Sequence, residues 1–252
     1  MNKGKNNIKM TFDDRNIFFH QLVIDKEYSK QERLQLLGKV VPYLPLKDNY
    51  CTDGLYEIPI VPSYNDGIPN DFIPFDKLLT CKHREDVGVH FYVSDNGINR
   101  FINNQYRYLY LLRQHPCVIA PDCSIYSNMW RAVNVGKVFL ARNTNCFLVE
   151  NHVKTIPCFT YATIDTIDLA LLGIPKGSVV AVGNHTIGRS HVCQEITEYA
   201  IKRLVEEKQP SKLLVYGFPL SFEVDIEVIN VYSRIQELRS LHNEKENFLH
   251  TI

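Results

Sequence analysis

Two aspartates stand where apolar runs end: Asp95 closes Val87-Gly-Val-His-Phe-Tyr-Val-Ser-Asp95, and Asp122 closes Cys117-Val-Ile-Ala-Pro-Asp122. On adjacent parallel strands such carboxylates can meet, either as a pair for acid/base work or around a divalent cation such as Mg²⁺. Each also has a plainer use. Asp95-Asn-Gly97 is a turn signal, and Pro121-Asp-Cys-Ser124 suits an Asx turn or a helix start. Ser124 and Tyr126 follow Asp122, and Thr160 and Tyr161 end the run Lys154-Thr-Ile-Pro-Cys-Phe-Thr160, so hydroxyls and rings are available to line a pocket.

A third group follows the run Ser178-Val-Val-Ala-Val182. Gly183-Asn-His-Thr-Ile-Gly188-Arg-Ser190 has GxxxxG spacing, then a base and a serine, in a strand–loop–helix context. The lysine of a phosphate-binding loop is replaced by Arg189, which is longer, planar and forked. The next run, Lys212-Leu-Leu-Val-Tyr-Gly217, ends in glycine and not in the aspartate that a nucleotide-hydrolysing site uses to hold Mg²⁺. What survives is an anion site made of Thr186, Gly188, Arg189 and a helix N-terminus, with Gly217 on the same edge. His185, in that loop, is the best-placed histidine to join Asp95 and Asp122 as a catalytic group, whereas His90 sits mid-run and reads as a core residue. Cys123 beside Asp122 is a nucleophile on paper, but nothing marks a lowered thiol pKa. No GxSxG, HExxH, GxGxxG or zinc-ligand spacing is present, and no metal-ligand set is assigned.

These residues need a scaffold, and the alternation supplies one. Short apolar runs are separated by stretches with helical spacing: Ile98, Phe101, Ile102, Leu109 and Leu112; then Met129, Ala132, Val133, Gly136 and Leu140; then Cys193, Ile196, Ala200 and Leu204. This predicts an α/β fold with a mostly parallel sheet built from βα units, as an open sheet or a partial βα barrel. Such sheets bind ligands at the carboxyl ends of their strands. Residues 1–80 read as a helical and loop lobe. Ser29-Lys-Gln-Glu32 has capping-box spacing, and Pro42, Pro45, Pro59, Pro62, Pro69 and Pro74 make Val41 to Pro74 mostly extended loop. Residues 81–252 read as the α/β core, closing with an alternation at Val224, Ile226 and Val228 and a polar helix from Ser233.

Composition narrows the classes. The chain has 252 residues, 45% hydrophobic and 22% charged, with formal net charge +0. Neutrality disfavours general attraction to nucleic acid, and no run reaches the ~18 apolar residues of a membrane span. Seven cysteines without ligand spacing predict reduced thiols, largely buried at Cys117, Cys158 and Cys193, and a cytoplasmic setting.

Several motifs occur together in one order: Gly88-Val-His-Phe-Tyr-Val-Ser-Asp95, Pro121-Asp-Cys-Ser-Ile-Tyr126, Ile156-Pro157, Gly173-Ile-Pro-Lys-Gly-Ser-Val-Val-Ala-Val182 and Gln209-Pro-Ser-Lys-Leu-Leu-Val-Tyr-Gly217. In this the chain resembles an uncharacterised family of bacteria, phages and mobile elements, domain of unknown function 4417, from about Phe75 to Gly217. The resemblance implies a phage or mobile-element origin and no particular activity. It departs at Cys123, where relatives tend to carry an aromatic, and at Asn128-Met-Trp130, where they tend to carry an acid before Met-Pro. The expected function is a polar pocket at the strand carboxyl ends that binds a small anionic metabolite or nucleotide, with catalysis open. The alternatives are an interaction protein that engages a host protein in defence or counter-defence, and a nucleic-acid-processing accessory protein.

Overall fold

The computed structural model describes residues 44, 46–184 and 191–232. The helix expected at Ser29 and the one expected from Ser233 lie outside them. A short antiparallel ladder, β1 (Thr52–Asp53) with β2 (Ile58–Pro59), precedes the core. The chain then runs through β3 (Phe72–Pro74), a 3-10 helix (Phe75–Thr80), β4 (Gly88–His90), α1 (Asp95–Asn103), α2 (Gln105–Leu112) and β5 (Val118–Ile119). It continues with α3 (Arg131–Glu150), β6 (Thr155–Ile156), β7 (Cys158–Phe159), α4 (Ile164–Leu171), β8 (Val179–Asn184), α5 (His191–Lys208), β9 (Lys212–Gly217) and β10 (Val228–Val231).

Two four-stranded sheets form the core, in the orders β3-β4-β5-β6 and β7-β8-β9-β10, and every pairing in them is parallel. They meet in one extended segment. Proline has no N–H to give a ladder, and at Pro157 the segment 155–159 changes partner: Ala120 N–H donates to the Ile156 carbonyl at 2.9 Å, and Ala181 N–H to the Pro157 carbonyl at 2.8 Å. Strand order therefore follows chain order across both sheets.

The helices cover the outer face. Val89, Phe91 and Val118 pack with α1, α2 and α3, while Val180, Val182, Leu213 and Val215 pack with α4 and α5. A third cluster, Cys117, Ile119, Ile156, Cys158, Val179, Ala181, Leu214 and Val231, contains no helical residue. It fills the inside of a curled sheet. His90 on β4 and Tyr216 on β9 are four strands apart, about 19 Å in a flat sheet, yet their ring centroids lie 4.3 Å from each other. Tyr92 stacks on Tyr216 at 4.6 Å. The partial βα barrel is thus the form realised, and among the described residues no ladder joins β10 to β3.

Several local expectations shift. The first run is strand only to His90, so Asp95 opens a helix instead of closing a strand. The Pro-rich stretch contributes β3 to the sheet, where Pro74 is tolerated because an edge strand can spare an N–H. In α3 Ala132 is exposed and the buried face of the first half runs through Asn134 and Val138, with Asn134 held by the Tyr126 backbone, while residues 140–148 are buried on all sides. Cys193 is half-buried. Val224 and Ile226 pack on the body without forming a strand.

Candidate ligand site at the strand carboxyl ends

A cavity of about 400 Å³ opens at the carboxyl ends of the strands, lined by Tyr92, Val93, Ser94, Asp122, Ser124, Ile125, Phe159, Thr160, Tyr161 and Gly183. The topology explains why residues so distant in sequence converge: the segments leaving β4, β5, β7 and β8 all emerge at one edge. Room exists because β8 directs Ala181 into the interior cluster and places Gly183 two residues on, at the wall. A side chain alternates faces along a strand, so these two small residues share the inner face.

Asp122 holds one wall, and its Oδ1 accepts the hydroxyl proton of Thr160. Behind Thr160 the Cys158 thiol donates to the Tyr92 hydroxyl at 3.4 Å, with the Thr160 hydroxyl 3.6 Å from the same sulfur. Burial first, then the neighbouring Cys158 and Asp122, push the Tyr92 phenol well above its ordinary pKa, so it stays protonated. Burial likewise raises Tyr161 to about 12, opposed by the Thr197 hydroxyl of α5. The first turns of α5 therefore adjoin this wall. Just after it, Thr163 and Thr166 close a capping box that starts α4 and fixes the exit of the chain.

Asp95 stands one layer back. Its Oδ1 accepts from Ser124 Oγ at 2.9 Å, and its Oδ2 accepts from Lys137 Nζ at 2.9 Å and from the Tyr126 hydroxyl at 3.3 Å. Tyr126 is itself set by Asn134, whose side-chain amide bonds both its N–H and its carbonyl. Asp95 thus supports the cavity through Ser124, and Tyr126 supports Asp95. Each aspartate has its own hydroxyl partner, so no shared-proton dyad is formed by these bonds. Gly217 pairs in register with Asn184 at the same edge of the sheet, beside but not in the lining set. His185, Thr186, Gly188 and Arg189 lie outside the described residues.

Lys137 and Tyr92 were not singled out from the sequence. Tyr92 could have been, since it sits two residues after His90 and so on the same side of the extended chain. Lys137 falls inside an otherwise apolar helical series, a weak signal for a buried ion partner. Cys123 is excluded as a nucleophile: it is buried, and desolvation raises its thiol far above the ordinary range. Away from the cavity, His83, Glu85 and Asp86 offer ligand atoms within 4.8 Å of one another, all on exposed side chains. No described helix is long and apolar enough to cross a membrane.

The family described as domain of unknown function (DUF4417) matches residues 50–233. Gene 1 protein of Mycobacterium phage L5 is 30% identical over 181 residues, covering 69% of this chain and 76% of the relative. Gene 1 protein of Mycobacterium phage D29 is 28% identical over 181 residues, covering 69% of this chain and 65% of the relative. No solved structure matches.

Proposed function

The chain belongs to the DUF4417 family, whose relatives named above are phage proteins, and we propose that it is a cytoplasmic ligand-binding protein for a nucleotide or similar small anionic metabolite. The supporting observation is the cavity itself. It has the size of a small-ligand site, lies where parallel sheets bind ligands, and combines aromatic walls with a few convergent polar groups. A ring would lie among Tyr92, Phe159 and Tyr161. A phosphate would sit toward α5, whose first turn carries no acid to oppose it. The first turn of α1, by contrast, already holds Asp95. In this reading Asp95, Asp122 and His185 are the candidates for any chemistry, and Ser124, Tyr126, Tyr161, Thr186, Gly188, Arg189 and Gly217 for holding the ligand, with Mg²⁺ as a companion of a phosphate.

Native mass spectrometry of the purified protein tests this. A bound species below about 1 kDa should be released on denaturation, and Gly183→Leu, which fills the cavity from the inner face of β8, should purify without it. A wild-type protein that carries nothing and shows no melting shift with any common nucleotide or sugar phosphate overturns the proposal.

A second reading, an interaction protein that engages a host protein, rests on α2. Tyr106 and Tyr110, one turn apart, are 67% and 71% exposed, and exposed aromatics of this kind favour protein contacts. Tyr106→Ser with Tyr110→Ser should leave the fold and cavity intact while removing any such contact.

A further inference from the structure

We propose that His83, Glu85 and Asp86 form a binding site for a divalent transition metal, at the other end of the strands from the cavity. Each side chain offers one ligand atom, and the three atoms lie within 4.8 Å of one another. Ligands of such an ion stand about 2.1 Å from it, and so roughly 3–3.5 Å apart. The set is therefore a small side-chain rotation away from coordination, and all three side chains are exposed and free to make it. One imidazole nitrogen with two carboxylates suits Zn²⁺ or Mn²⁺ better than Mg²⁺ or Ca²⁺, which favour oxygen alone. Neighbouring carboxylates also repel each other, and a divalent cation removes that cost.

The backbone beneath these side chains is fixed. The turn Arg84–Asp86 leads into β4, whose Gly88 N–H donates to the Asp71 carbonyl at 2.8 Å. From there β4 carries the chain toward Tyr92 in the cavity wall, so the turn lies at the amino ends of the strands. Arg84 Nη1 donates to Gln114 Oε1 at 3.4 Å, just beyond α2. Next to it His115 places Nδ1 2.8 Å from the Val87 carbonyl. A nitrogen that faces a carbonyl must carry the proton, so Nε2 keeps the lone pair of the neutral ring. His115 is only 6% exposed, and its Nε2 is buried with no hydrogen-bond partner. Burial lowers its pKa; among its charged neighbours Arg84 adds to that and Glu85 opposes it, so ring and turn share one electrostatic neighbourhood. A buried acceptor without a donor is costly. A cation held at the turn, with its bound water, would answer it.

Mn²⁺ is the probe, because it is paramagnetic and has little affinity for the exposed Cys51 or half-buried Cys81 thiols. Protein dialysed against EDTA should take up Mn²⁺ saturably at a single site, read from the paramagnetic resonance of the free ion. Zn²⁺ should displace it at lower concentration, and Mg²⁺ only at much higher concentration. His83→Ala, Glu85→Gln and Asp86→Asn should each weaken Mn²⁺ binding by about tenfold or more. Their melting temperatures without metal should match wild type, since all three side chains are exposed. Added Mn²⁺ should raise the melting temperature of wild type and not that of the three variants. Protein that takes up no Mn²⁺ saturably overturns the proposal. So does a site that survives all three substitutions, which would place the ion elsewhere. Mg²⁺ that displaces Mn²⁺ as readily as Zn²⁺ does overturns the assignment to a transition metal.

Discussion

Asp95 and Lys137 form an enclosed ion pair beside the cavity, 2.9 Å apart with 19% and 12% of their side chains exposed. Removing one member of such a pair leaves the other charge with little water and no partner. Asp95→Asn should therefore destabilise the protein by about 3 kcal/mol, read as a lower denaturant midpoint at unchanged slope. Adding Lys137→Met should recover part of that loss, and a double variant no more stable than Asp95→Asn would contradict the pairing. Thiol reactivity gives a second test at this scale. Burial lifts Cys117 to about 11 and Cys146 and Cys158 to about 12, whereas Cys51 is exposed and Cys81 and Cys193 are half-buried. A thiol reagent at pH 8 should label those three first and all seven only in denaturant. The residues most legible in the sequence were the ones that end apolar runs, Asp122, Ser124, Thr160 and Tyr161, because strand termini fix where the chain meets the cavity. Asp95 was legible as a polar residue of this region but not as a helix opener. Its role depends on Lys137, 42 positions away, and no local pattern encodes that contact.

Among the elements, α3 carries the largest buried polar load, and Arg142 is its centre. The guanidinium donates to the carbonyls of Leu172 (2.9 Å), Cys158 (2.8 Å) and Ala170 (2.7 Å), tying α3 to the end of α4 and to β7. Burial depresses its pKa to about 10, and no carboxylate is among these three partners. Arg142→Met would leave three carbonyls unanswered and should cost about 3–5 kcal/mol. Arg142→Lys, with one compact ammonium, should fall between it and wild type in thermal denaturation. Gly173→Ala should also destabilise, since φ is +72° and a Cβ there would lie 2.4 Å from the Pro59 carbonyl. Elements were readable from sequence where period and length agreed. The run Lys212–Gly217 is β9, and the stripe Ile196, Ala200, Leu204 is the buried face of α5. They were not readable where tertiary pairing decides. β3 is three residues long with a proline, and is a strand only because β4 lies beside it. The apolar stripe assigned to α3 held at Met129 and Leu140 but not at Ala132, because the polar Asn134, bonded to the Tyr126 backbone, shares the buried face with Val138.

Across the whole molecule, strand order equal to chain order was implicit in the βα alternation, whereas curl was not, because it depends on the rings of His90, Tyr92 and Tyr216 meeting across the interior. The same enclosed interior predicts how the protein responds to alkali. Cys117, Cys146, Cys158 and Tyr161 are all held protonated by burial, at about 11, 12, 12 and 12. The ordinary thiol value is 9.0 and the ordinary phenol value 10.0. Each folded-state pKa is therefore raised above its unfolded value. Between the two values the native state binds more protons than the unfolded chain, so stability falls as pH rises. The contribution is complete below about pH 9 and is lost progressively from there toward pH 12. The melting temperature should thus be flat from pH 7 to about 8.5 and then drop steeply. Cys117→Ala and Cys158→Ala together should flatten that drop, because two of the titrating groups are gone, even though the variant starts from a lower melting temperature at pH 7. A double variant with an alkaline slope equal to that of wild type would show that these thiols are not the groups that link folding to pH.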